Sequence, residues 1–349
     1  MAEYLISTTT TQTSRIVVAD GSGRDLPALL PARAHRTTAA VFSQPSVARL
    51  AADIAEDLRT IGLAVHVKEL PDRDDAKDMG VIESCLAWLN EHRLTRHDIV
   101  VGVGGGALTD VTGFVAALYL RGVEAAYVPT TLLGAVDAAI GGKTGVNVGG
   151  KNLAGAFHLP VLVVVDPDIL ALLPEHLMRE GAAEALKTGL IGDERIVRLY
   201  EEYGLSAPLG EVVERSIAVK AAVVAEDFIE EGPRALLNYG HTIGHAVESA
   251  SGMPHGNAVA IGMIAAGAAS RAVTGFDGEE RQRAVIERLG LPTDAGGLER
   301  AGVMPLVALD KKRDAGGVRM VLLDRIGSAV VSTVDDATVS LALDAVGIR

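Results

Sequence analysis

Cysteine occurs once in the 349 residues and aromatic side chains make up 3% of them. The lone Cys85 cannot form an intramolecular disulfide and fits a reducing compartment. With so few rings, the core must come from Ala, Val, Leu and Ile, and stacking platforms for nucleic-acid bases are not expected. Nowhere do about 18 apolar residues run uninterrupted, so no transmembrane helix is implied. The opening "MAEYLISTTTTQTSRIVVAD" lacks the basic stretch and apolar run of a signal peptide. Basic residues are in the minority, 32 Lys and Arg against 45 Asp and Glu, giving a net charge of -13. That balance opposes attraction to nucleic acid or an anionic membrane, so an anionic ligand must be drawn by a local basic pocket. A soluble, cytoplasmic protein acting on a small molecule is expected.

What is present divides into two textures. Up to about residue 170, the runs "RIVVAD", "TTAAVFS", "LAVHVKEL", "DIVVGVGGG", "EAAYVPTT" and "VLVVVDPD" alternate with helical patterns. Apolar runs of this kind predict strands buried on both faces of a mostly parallel α/β sheet. Beyond about Leu173 the pattern is helical, in "LPEHLMREGAAEALKTGLIG", "EVVERSIAVKAAVVAED", "ALLNYGHTIGHAVESA" and "NAVAIGMIAAGAASRAV". The exception is "GVRMVLLDRIGSAVVSTVDD", a predicted hairpin turning at Arg325 to Ser328. The expected division is an α/β domain over 1–168 and a mainly helical domain over 169–349.

Three clusters carry candidate chemistry. "VVGVGGGALTD" follows the fourth strand and opens a helix, where free N–H groups and the helix dipole suit a phosphate. A tight turn without a ligand is the alternative, because a dinucleotide turn of the usual kind follows the first strand. "VPTTLLGAVDAAIGGKTGVNVGGKN" sets Asp137, Lys143 and Lys151 among glycines; lysines on such loops can hold a phosphate, or lie on an ordinary solvated surface. In "LLNYGHTIGHAVESASGMPHGNAVAIGM", His241 and His245 share a helix face and His255 opens the next helix. An open catalytic zinc site needs three protein ligands, and Glu184 of "GAAEALKTG", with Lys187 one turn on, is a candidate carboxylate. Read singly, that Glu–Lys spacing is also an ordinary surface ion pair, and His245 is as readily a neighbour of a metal as a ligand.

Taken in order, "GGGALTD", "RGVEAAYVPTTLLGAVDAAIGGKTGVN", "GKNLAGAFHLP", "EGAAEALKTGLI", "LNYGHTIGHA", "HGNAVAIGM" and "DKKRDAGGVRMVLL" resemble the 3-dehydroquinate synthase family of sugar phosphate cyclases, from about residue 70 to 325. The wider fold is shared with glycerol dehydrogenase-like metal-dependent alcohol dehydrogenases. The resemblance implies NAD held in the N-terminal domain and a divalent metal, zinc or cobalt, on Glu184, His241 and His255. It places Gly104, Gly105 and Gly106 at the pyrophosphate, Asp110, Thr130 and Thr131 near the nicotinamide half, and Asp74 and Lys77 near the adenosine half. It sets Asp137, Lys143, Asn152, Lys187, Lys220, Arg234, Asn238 and His245 around a phosphosugar-acid substrate, with Asp137 and Lys143 also beside the cofactor. Lys151, Glu230 and one of Lys311 or Lys312, the latter preferred, fall on matching positions. Arg121 matches an arginine lent to a neighbouring subunit, so a homodimer is implied. Ser43 and Gln44 depart from the pattern, standing where many relatives carry an acidic residue for the ribose. Asn238 favours dehydroquinate synthase or its amino-substrate counterpart. An oxidoreductase of an uncharged alcohol would not need Lys143, Lys187 and Arg234.

Overall fold

The apolar runs do form strands, and their burial follows their composition. The computed structural model describes residues 11–309 and 317–349. Its strands are β1 (Arg15–Val18), β2 (Thr38–Ser43), β3 (Ala64–Glu69), β4 (Ile99–Gly104), β5 (Glu124–Pro129), β6 (Lys143–Val146), β7 (Ala154–Phe157), β8 (Leu162–Val165), β9 (Val318–Arg325) and β10 (Ser328–Val334). Six of them make one sheet in the order β1-β8-β5-β4-β2-β3, parallel at every pairing. β4 and β8 are buried at every residue, whereas the edge strand β3 alternates toward solvent. Alternate residues serve different layers. Ala39, Val41, Val101 and Val128 pack with the helix Ala48–Thr60, while Ala40, Phe42, Val100 and Tyr127 join the core shared with the rest of the chain.

The strand order positions the first part of the site. From β2 the chain goes to β3 on one side, then crosses to β4 on the other. The crevice beyond the carboxyl ends of β2 and β4 is therefore a topological switch point, where α/β sheets bind ligands. Gln44 directly follows β2, and Gly104 ends β4. Gln44 is buried, donates to the Pro71 carbonyl at 3.1 Å, and sits under the glycine turn.

Beyond the sheet lie the helices Glu175–Gly192, Leu209–Glu226, His241–Ser251 and His255–Thr274, with the β9–β10 hairpin in the expected place. His255–Thr274 is long and apolar enough to cross a membrane by composition, and 78% of that span is buried inside the protein. "ALLNYGHTIGHAVESA" is not one helix: Pro233–Asn238 forms a tighter 3₁₀ turn, and Gly240, at φ 79°, breaks the chain before His241 starts the helix. β6 and β7 pair antiparallel where the sequence suggested only a glycine-rich loop. The two histidine-bearing helices cross at bare backbone. A Cβ on Gly262 would lie 1.8 Å from the Gly240 carbonyl oxygen, so any side chain there would force the helices apart.

Candidate active site

Glu184 lies on the helix Glu175–Gly192 and is completely buried. Its Oε1 is 3.3 Å from Nε2 of both His241 and His255, each the first residue of its helix. One ligand atom from each of the three lies within 4.8 Å of the others. Zinc–nitrogen and zinc–oxygen bonds of about 2.0–2.2 Å at tetrahedral angles would separate ligand atoms by about 3.3–3.5 Å, so the spacing fits an ion between them. Among the described residues neither Glu184 oxygen accepts a hydrogen bond of good geometry, although Lys187 Nζ stands 2.6 Å from Oε2. A buried carboxylate left this way is costly unless a cation completes it. Burial alone would raise the Glu184 carboxyl, yet Lys187 and His241 hold it well below the usual range.

His245 stands apart from this cluster while touching it, with ring centroids 5.0 Å from His241 and 6.0 Å from His255. Burial, reinforced by those two imidazoles, lowers it to about 4, so it is neutral at ordinary pH. It faces a second cavity of about 240 Å³ that also includes Asn238 and His241.

A cavity of about 360 Å³ beside His241 is lined by Lys143, Lys187, Lys220 and Arg234 against Asp110 and Asp137. Four cations against two carboxylates make a local positive site within an acidic protein, the pocket an anionic ligand requires. Asp137, on a single wide turn over Gly134–Ala138, contacts Lys220 and lies 4.0 Å from Lys187. Burial would raise Asp137, but these lysines hold it at about 2; burial in turn lowers Lys220. Arg234 is 1% exposed: it donates to the carbonyls of Phe228 and Gly141, and Phe157 and Phe228 flank its guanidinium. Its Nε is buried without a partner among the described residues. Lys143 pairs with Glu230, which also accepts from Asn238 at 2.6 Å.

On the sheet side, Gly105 caps the helix Gly106–Leu118 with no side-chain oxygen. Packing demands bare glycine in this turn, since a Cβ on Gly104 would lie 2.4 Å from Leu108 and one on Gly106 2.9 Å from Ala138. Thr130 donates its N–H to the Gly104 carbonyl, and Thr131 stands over Gly105. Lys77 is buried with Nζ 2.5 Å from Asp110 and 2.8 Å from Asn152. Burial outweighs Lys77 and raises Asp110 to about 6. Lys151, from the β6–β7 turn, reaches Asp74 at 3.2 Å.

Family models for the N-terminal and C-terminal parts of 3-dehydroquinate synthase match residues 67–180 and 181–313. The 3-dehydroquinate synthase of Thermobifida fusca is 43% identical over 343 residues, 95% of this chain and 93% of that one. The chain belongs to the 3-dehydroquinate synthase family. Its fold is that of the sugar phosphate cyclases. The structure of 2-epi-5-epi-valiolone synthase from Streptomyces hygroscopicus, with NAD⁺ and Zn²⁺ bound, superposes with a TM-score of 0.87 over 98% of this chain and 99% of that one, at 27% identity. A 2-deoxy-scyllo-inosose synthase structure shares the fold at a TM-score of 0.83 and 24% identity, over 94% and 95% of the two chains.

Within this dehydroquinate synthase fold, Asp137, Lys143, Asn152, Lys187, Lys220, Arg234 and Asn238 line one cavity, Glu230 and His245 line the second, and Lys151 lines neither. Arg121, at φ 65° on the turn Tyr119–Arg121, lines neither cavity. Lys311 and Lys312 lie outside the described residues. The sequence reading missed Glu248, which accepts from His255 and Lys151, although His241, His245 and Glu248 are spaced along one helix face. It also missed Arg319 of β9, which borders the second cavity.

Proposed function

We propose that the protein converts 3-deoxy-D-arabino-heptulosonate 7-phosphate to 3-dehydroquinate and phosphate, a phosphate-eliminating lyase reaction of the shikimate pathway. The observation that carries this reading is the buried Glu184–His241–His255 cluster opening on a cavity of four cations, in a chain of this family. Glu184, His241 and His255 hold a divalent ion, zinc or cobalt, and the glycine turn with Asp74, Lys77, Asp110, Thr130, Thr131 and Lys151 holds NAD⁺. When bound, these groups supply a transient hydride acceptor and a Lewis acid that lowers the pKa of the substrate hydroxyls. The steps of this reading are transient oxidation, β-elimination of phosphate, reduction, ring opening and intramolecular aldol closure, so the net change is loss of phosphate with carbocycle formation and no net oxidation.

The chain's own residues bind, orient and move protons. Arg234, with its free Nε, and Lys220 take the carboxylate end. Lys143 and Asn152 stabilise charge developing at the phosphate. Neutral His245 can accept a proton beside the metal ligands. Asp137 keeps Lys187 and Lys220 aligned. The working protein is a cytoplasmic homodimer in which Arg121 reaches a neighbouring subunit, with residues 1–168 as the dinucleotide domain and 169–349 as the metal and substrate domain.

With the heptulosonate phosphate, catalytic NAD⁺ and a divalent metal, phosphate should be released without accumulating NADH. Stoichiometric NADH with no phosphate would instead identify a dehydrogenase. Metal binding should also depend on pH. In the metal-free protein burial pushes His255 down, but Glu184 and Glu248 raise it to about 10. A ligating imidazole must be neutral, so affinity should rise from neutrality to about pH 10, with a proton released on binding. Calorimetry in buffers of different protonation enthalpy measures this, and a flat profile between about pH 7 and 9 would contradict it. The stability of the metal-free form runs the other way. The His255 contribution is complete below its ordinary value of about 6.5 and is lost as pH rises through about 10.

A further inference from the structure

Glu248 lies on the helix His241–Ser251, on the face that carries His241 and His245, and its side chain is 10% exposed. Both its oxygens are engaged. Oε2 lies 2.9 Å from His255 Nδ1, and Oε1 lies 2.7 Å from Lys151 Nζ. A neutral imidazole can ligate through Nε2 only if Nδ1 carries the proton, and a carboxylate facing Nδ1 selects that tautomer. Nε2 then points to Glu184, 3.3 Å away.

Lys151 would by itself be an unremarkable partner, since its side chain is 62% exposed and surface ion pairs contribute little. Its acceptor, however, is mostly buried, and Lys151 is anchored on its other side by Asp74. The next residue, Asn152, accepts from Lys77, which in turn reaches Asp110 on the helix after the glycine turn. Two consecutive residues of the β6–β7 turn thus join the carboxylate behind His255 to the dinucleotide side of the cleft.

We propose that Glu248 is a positioning residue for the metal centre: it fixes the ring of His255 with Nε2 presented to the ion, and Lys151, reaching across from the β6–β7 turn, pins Glu248 in place. This rests on the metal site of the proposed function. Loss of such an outer partner weakens metal binding by about 10–100-fold. Lys151 extends the dependence to a residue that touches no ligand of the ion.

The test is Zn²⁺ affinity by chelator competition, together with the visible absorption of the Co²⁺-loaded protein, for wild type, Glu248→Ala, Glu248→Gln and Lys151→Met. Glu248→Ala should bind Zn²⁺ about 10–100-fold more weakly and shift the Co²⁺ bands. Glu248→Gln keeps an acceptor for Nδ1–H but loses the charge and the lysine pair, so it should recover part of the affinity. Lys151→Met should fall between Glu248→Gln and wild type. A residue that merely supports the helix would lower the melting temperature without moving either metal readout. Wild-type affinity and bands in Glu248→Ala would overturn the proposal. If that variant does not fold, wild-type behaviour in both Glu248→Gln and Lys151→Met does so. A wild-type protein that binds no metal would instead remove the functional reading beneath it.

Discussion

Glu184→Gln should abolish turnover and weaken metal binding by more than about 100-fold, beyond what loss of an outer partner costs. The amide keeps the size of the side chain and removes its charge, so the cavity survives while two imidazoles lose their anionic co-ligand. The same change strands Lys187, whose side chain is 2% exposed and whose Nζ lies 2.6 Å from the carboxylate. Removing one partner of a buried ion pair costs about 3–5 kcal/mol. Asp137 remains 4.0 Å from Lys187, which puts the expectation at the lower end, about 3 kcal/mol. In a protein of this size that lowers the melting temperature by about 4 °C. The comparison must use metal-stripped proteins, because a bound ion stabilises the wild type by mass action. Elemental analysis after dialysis and calorimetry of the stripped forms provide both readouts. Stoichiometric metal in Glu184→Gln would end the ligand assignment, whatever happened to the rate.

The parallel sheet was legible because its information is local. β2, β4, β5 and β8 are apolar runs buried on both faces, and composition alone distinguishes such strands from amphipathic helices. β6 and β7 were not legible. "KTGV" and "AGAF" are four residues each and rich in glycine, and they become strands by packing across the helix Gly106–Leu118. The helix start at His241 was hidden for a related reason: "LLNYG" continues the apolar pattern, and the break is set by the backbone of Gly240. Residue types at the site could be read, but their convergence could not. His241 and His255 meet through a helix crossing that depends on Gly262, the Glu184 helix approaches at Gly256, where a Cβ would lie 2.6 Å from Glu180, and the family resemblance supplied their association before the geometry did. The burial of Arg234 was invisible for the same cause, since Phe157, which flanks its guanidinium together with Phe228, is far from it along the chain.

That burial makes Arg234→Lys the sharper test of substrate recognition. The guanidinium already donates to two backbone carbonyls and still has a buried Nε without a partner among the described residues, so it can hold a carboxylate while remaining anchored. A lysine keeps the charge but has one nitrogen, which cannot bridge Phe228, Gly141 and a ligand in that planar arrangement. Losing a charge-assisted hydrogen bond costs about 1.5–3 kcal/mol, which lowers kcat/KM by about 10–150-fold. The carboxylate is held alike in the ground and transition states, so the loss should appear as a raised KM with kcat little changed. A carbonyl left unpaired in the interior costs about 1–3 kcal/mol of stability as well. The two effects separate the roles. A lower melting temperature with an unaltered KM would make Arg234 a strut between the Phe228 turn and Gly141, and the carboxylate would then have to be gripped by Lys187 or Lys220, the other buried cations of that cavity.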